Sequence, residues 1–181
     1  MPVVTSGKSE VITPNPAEVL HDPTETRLII GSIVVACCLA LLPLPTGWLT
    51  LRPDLTLLVL TYWGVNEPRR IGQTTAFCLG LIIDVADSNV LGVHALAYSV
   101  AAFLTATLRV RVLSFSGWKQ AVHILPILLS AQLLTLVANL LLRFGFPGWG
   151  YFLGSIVGAL LWPALSGLLK SRQSAARSSA A

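Results

Sequence analysis

Residues 120–142 read QAVHILPILLSAQLLTLVANLLL, an apolar run without a single Asp, Glu, Lys or Arg. At about 1.5 Å per residue a helix of this run extends roughly 35 Å, enough to cross a hydrocarbon core of about 30 Å. The stretch predicts a membrane span, and the sequence to either side repeats the pattern. Further apolar runs cover about Leu28–Leu42, Arg52-Pro53-Asp54 to Asn66, Gly72–Ala86, Val93–Leu108 and Trp149–Leu169. The whole chain of 181 residues is 54% hydrophobic and only 11% charged, with a mean hydropathy of +0.75. Soluble domains carry about 25% charged residues, so this chain lacks the charge to coat a soluble surface. A soluble enzyme is excluded. Helices satisfy their own backbone inside lipid, so the expected fold is all-α, a polytopic membrane bundle of six transmembrane helices.

Three segments follow. Residues 1–27 are polar, hold Pro2, Pro14, Pro16 and Pro23, and are expected to form a mobile cytoplasmic tail. The first apolar run starts only at Leu28, with no short basic region before it near the start and no small-residue cleavage site after it, so it stays as an anchor and is not a cleaved signal. Residues 28–169 form the six-helix transmembrane domain, and residues 170–181 a basic, Ser/Ala-rich cytoplasmic tail. The runs for helices 2 and 3 are short for a 30 Å core. They extend through their flanks, thin the bilayer, or form a re-entrant pair.

Charge placement chooses among these. With the N-terminus in the cytoplasm and six spans, all of the 12 Lys and Arg residues fall inside except Arg52 and Arg143. That is the bias of the positive-inside rule, and a re-entrant pair would spoil it by moving Arg69 and Arg70 outside. Both termini are therefore expected in the cytoplasm. Trp48 and Trp149 fall at the outer edge and Trp63 and Trp118 near the inner edge, while Trp162 fits neither belt. A net charge of +4 with no basic stripe gives no sign of nucleic-acid binding, so the partner it implies is the lipid membrane.

Asp84, in Gly80-Leu-Ile-Ile-Asp84, is the most informative single residue. It is either an acid in headgroup water or a buried acid paired across helices, with Arg52 as first partner and His94 as second. Arg52, Asp54, Asp84 and His94 gather at the predicted outer end as structural, partner or pocket residues. Small residues recur at spacing four on helix 3 (Gly72, Ala76, Gly80) and helix 6 (Gly150, Gly154, Gly158), marking faces where helix backbones approach closely. Whether those faces pack internally or on a partner is left open by the sequence. Gln132 and Asn139 read as interhelical hydrogen bonders. Cys37, Cys38 and Cys78 have no metal-ligand spacing, and the histidines are scattered, so no catalytic, metal or cofactor site is expected.

The chain also resembles a known family. Arg52-Pro53-Asp54 followed by Leu57-Leu58-Val59-Leu60-Thr61-Tyr62-Trp63, then Pro68, Gly72, Phe77-Cys78-Leu79-Gly80-Leu81 with Asp84, and Leu91-Gly92 with His94-Ala95-Leu96, resemble MreD, the rod-shape-determining membrane protein of bacteria. The likeness extends in size and helix order over about residues 28–169. It implies a noncatalytic inner-membrane component of the cell-elongation machinery that associates with MreC, a single-span protein. Through MreC it connects with MreB filaments, RodA and the elongation transpeptidase in peptidoglycan synthesis. The family resembles in turn the six-helix substrate-binding subunits of energy-coupling-factor vitamin transporters. That implies an alternative function, capture of a small ligand in a pocket open to the outside.

Overall fold

The structure is a computed structural model that describes residues 23–42, 53–87, 90–142, 145–146 and 148–180. Arg52, Trp48, Asn89 and Arg143, with most of the first 27 residues, lie outside the described residues. Six α-helices follow in order: α1 Pro23–Ala40, α2 Leu55–Asn66, α3 Gln73–Ala86, α4 Val93–Ser114, α5 Trp118–Leu141 and α6 Leu153–Ala180. A 3-10 turn over Trp149–Phe152 leads into α6. Among the described residues there is no strand, so the chain is all-helical as its composition requires. Three stretches, Val93–Ser114, Trp118–Leu141 and Trp149–Ala176, are long and apolar enough to cross a membrane, whereas α1, α2 and α3 hold shorter apolar segments. α1 starts at Pro23, ahead of the expected Leu28. α6 continues through the basic 170–180 stretch, which contains neither Gly nor Pro to stop it.

Neighbouring helices run in opposite directions. Trp63, late in α2, donates its indole N–H to Ser32 Oγ, in the middle of α1, at 2.8 Å, and Arg70, just past α2, donates to Thr26 Oγ1 near the start of α1 at 2.6 Å. Gln120 at the start of α5 donates to the Val112 carbonyl at the end of α4 at 3.1 Å, and Trp162 of α6 donates to Gln120 Oε1 at 3.0 Å. Trp162, the tryptophan outside both aromatic belts, is thus a core residue at 1% exposure. α2 and α4 run parallel and in step. Tyr98 meets Asp54 at one end and Arg109 meets Val65 at the other, both pairs separated by 44 residues.

α2 is the centre of the bundle. All but three of its 12 residues are buried, and it packs on α1, α4 and α6. Its apolar residues point all round the helix instead of along one stripe, the pattern of a helix covered on every side. The outward faces of the other helices are apolar, with Val110, Val122 and Leu141 among the exposed side chains. Such a surface matches hydrocarbon, not water. α5 and α6 run on through Pro126 and Pro163, as membrane helices commonly tolerate proline.

Candidate functional site: a cavity at one end of the bundle

α2 is short and its neighbours are long, so the bundle is open above its first turn. Asp54 is the N-cap there, accepting the Leu57 N–H at 2.9 Å. The Tyr98 hydroxyl, from α4, donates to the same carboxylate, 2.9 and 2.7 Å from its two oxygens. An acid at this point meets the positive end of the α2 macrodipole.

Asp84 does a parallel task for α4. The N-cap of α4 is Gly92, whose φ of 103° is left-handed and which has no side chain to offer. Asp84 reaches across from α3 and supplies the missing acceptor. Its Oδ2 takes the N–H of Gly92 at 2.8 Å and of Ala95 at 3.3 Å, and its Oδ1 takes the N–H of His94 at 2.9 Å. His94 Nδ1 lies 2.9 Å from the same Oδ1. Of the two partners expected for Asp84, His94 is therefore in contact, while Arg52 lies outside the described residues. Three backbone donors at a helix start are otherwise orphans, which accounts for a fully buried acid in an apolar helix.

This arrangement needs α3 and α4 to touch. A Cβ added at Gly80 would sit 2.4 Å from Ala95 Cα and 2.6 Å from the His94 carbonyl oxygen, so only glycine fits. Ala76, one turn earlier, is buried as well, but Gly72 is exposed with open space around it and serves as the N-cap of α3, outside the packed face. On α6, Gly154 and Gly158 are buried, and Gly150 is half-buried in the 3-10 turn. A Cβ at Gly158 would meet Leu128 at 3.1 Å and Pro53 at 3.7 Å.

Above Asp54 lies a cavity of about 430 Å³. Its walls are the last residues of α1 and α3, the first of α4 and α6, and the second half of α5. Asp54, Asp87 and His94 line it, together with Tyr98, Tyr151, Gln132, Thr135, Ser155, Gly154 and Gly158. Gln132 ties the α5 and α6 walls together: it accepts the Ser155 hydroxyl and donates to the Tyr151 carbonyl at 2.5 Å. Asn139, expected to do the same, makes no hydrogen bond among the described residues. The sequence marks Asp54 and His94 for this end of the bundle. It gives no comparable sign for Tyr98, Tyr151 or Ser155, whose membership depends on how far α4 and α6 rise past α2. Carboxylates, aromatic rings and amide and hydroxyl groups around a recess of this size equip it to bind.

Fold and surface together define an integral membrane protein, an all-helical bundle with a polar recess at one end. A family model described as rod shape-determining protein MreD matches residues 24–172, a span that holds α2 to α5 entire, nearly all of α1 and most of α6. The rod shape-determining protein MreD of Haemophilus influenzae is 32% identical over 135 residues, covering 75% of this chain and 83% of that protein. No solved structure matches the chain. The chain belongs to the MreD family of rod shape-determining proteins.

Proposed function

We propose that this protein is a noncatalytic scaffold of the cell-elongation machinery in the bacterial inner membrane, with six spans and both termini in the cytoplasm. It holds an MreC-like single-span protein and through it stands beside MreB, RodA and the elongation transpeptidase, supporting peptidoglycan synthesis and cell shape. The observation that carries this reading is the family match over residues 24–172. The helices explain why partners are needed. The turns between α2 and α3 and between α4 and α5 are a few residues long, so these turns have little with which to reach a filament alone. Polar pairs between membrane helices contribute about 0.6 kcal/mol each on average, so a stable complex needs a broad face. The test is co-expression with an MreC-like partner cut down to its span and flanking residues, followed by purification in mild detergent. The two chains are expected to purify together; recovery of this protein alone sinks the scaffold reading.

The cavity favours a second reading. Small-molecule sites run from about 300 to 1,000 Å³ and combine apolar walls with a few polar groups. A recess of about 430 Å³ with Asp54, Tyr98 and Gln132 on its walls fits that description. On this reading the protein is a small-ligand-binding membrane subunit of the vitamin-transporter type, with a six-helix fold like that of energy-coupling-factor substrate-binding subunits. Fold likeness alone does not decide function. Mass spectrometry of the gently purified protein decides it: a tightly retained compound of vitamin size supports the ligand reading, and an empty protein that still captures its partner supports the scaffold.

A further inference from the structure

The charge of the cavity is one-sided. Asp54 and Asp87 both line it and both are accessible, and among the described lining residues no Lys or Arg stands opposite them. The third acid at this end, Asp84, is buried and fully engaged by the start of α4 and by His94. Among the described residues Asp54 accepts hydrogen bonds from the Leu57 N–H and the Tyr98 hydroxyl, two neutral donors that orient the carboxylate, and His94 is the one lining side chain that can take up a positive charge. Carboxylates on the wall of a recess with apolar, low-dielectric surroundings focus their field into it. Tyr98 and Tyr151 add aromatic rings, whose faces attract cations. Gln132 and Ser155 add polar atoms for the rest of a ligand. The same field disfavours a carboxylate or phosphate compound.

We propose that the cavity binds a small organic cation, an amine or guanidinium compound, with Asp54 and Asp87 holding its charge. The proposal rests on the second reading above, the cavity as a ligand site, and fixes the class of ligand. The phosphate of a phospholipid headgroup would face both aspartates, so the amine belongs to a free molecule.

The test uses the full chain with Cys37, Cys38 and Cys78 replaced by alanine and a single Ser155→Cys on the cavity wall. Methanethiosulfonate reagents carrying either a trimethylammonium or a sulfonate group are reacted with it in detergent. Their rate ratio, cationic over anionic, is compared with that of free cysteine. The expected ratio is at least tenfold above the free-thiol value and falls at least threefold in Asp54→Asn and in Asp87→Asn. Asparagine still caps a helix and still accepts from Tyr98, so the Asp54→Asn variant keeps its fold. Agmatine is expected to slow the cationic reagent, and 1,4-butanediol at the same concentration to leave it unchanged. Slowing that is abolished only in nanodiscs containing phosphatidylethanolamine assigns the amine to lipid and overturns the proposal. A free-thiol ratio also overturns it, as does an anionic preference, the result expected if Arg52 sets the field; both leave a cavity open to other ligands. No reaction with either reagent at Ser155→Cys, which is buried, nor at Leu41→Cys, an exposed lining position, removes the ligand site itself.

Discussion

Asp54 and Asp84 are both carboxylates at helix starts, yet they differ in what they leave over. Asp84 gives its oxygens to three backbone N–H groups and His94 and is completely buried. Asp54 caps α2 and keeps accessible surface on the cavity. Removing the Asp84 carboxylate therefore strands the backbone donors at the start of α4, and leaving a buried donor unsatisfied costs about 1–3 kcal/mol. Asp84→Ala is expected to melt far below the parent in detergent. Asp87→Ala, at the exposed end of α3, should fall by less than about 1 kcal/mol. Equal, small effects from the two would remove the capping role. Gly80 tests the same contact from the other side. A methyl there meets α4 backbone at 2.4 Å, and overpacking costs typically 1–3 kcal/mol, with backbone placing it at the upper end. Gly167→Ala in α6 meets nothing within 4 Å and should gain about 0.5–1 kcal/mol, since alanine is the better helix former. The spacing-four glycines are legible in the sequence as close-approach positions. Which of them is occupied is not: Gly72 and Gly80 share a stripe, and only the position of the α4 start separates an open site from a closed one.

Among the elements α2 departs furthest from a simple span. At about 1.5 Å per residue its 12 residues cover roughly 18 Å, well under the hydrocarbon thickness. The sequence shows that shortness but not its consequence, because periodicity within one helix says nothing about the lengths of its neighbours in space. Surrounded by α1, α4 and α6, α2 faces little lipid, so the mismatch appears as room at its ends instead of a thinned bilayer. At the N-terminal end the room is the cavity. At the C-terminal end Arg109 fills it, its Nε–H donating to the Val65 carbonyl at 2.7 Å. A cation there meets the negative end of the α2 macrodipole and one of the carbonyls a helix end leaves unpaired. Arg109→Gln should then lower stability by about 1.5–3 kcal/mol, the usual contribution of a hydrogen bond to a charged group. Arg109→Lys, which keeps the charge but lacks the guanidinium fork, should fall in between. Thermal melts of the three proteins in one detergent measure this, and an Arg109→Gln melt matching the parent would leave the α2 carbonyls to water.

Across the whole molecule the alternation of helix direction sorts the charges. The turn from α3 to α4 lies beside Asp84, Asp87 and the cavity, at the same end as the α2 start. The turns from α2 to α3 and from α4 to α5 lie at the opposite end, beside Arg69, Arg70, Arg109, Arg111 and Lys119. Arginine and lysine counts alone predict this polarity, because translocating them is costly while aspartate has little influence on orientation. The cavity escapes such a reading, since it arises from the difference in length between α2 and the helices around it. The antiparallel contacts of α2 with α1 and of α3 with α4 place Arg69 and Asp84 at opposite ends of the bundle, and the basic residues favour the cytoplasm. We therefore expect the α2–α3 turn in the cytoplasm and the α3–α4 turn in the periplasm. Single cysteines at Gln73 and Val90, both exposed, test it in a background lacking Cys37, Cys38 and Cys78. In cells with a permeabilised outer membrane, an impermeant maleimide should label Val90→Cys at once and Gln73→Cys only after lysis. Labelling of Gln73→Cys from outside would put Arg69 and Arg70 in the periplasm and reduce the spans to four.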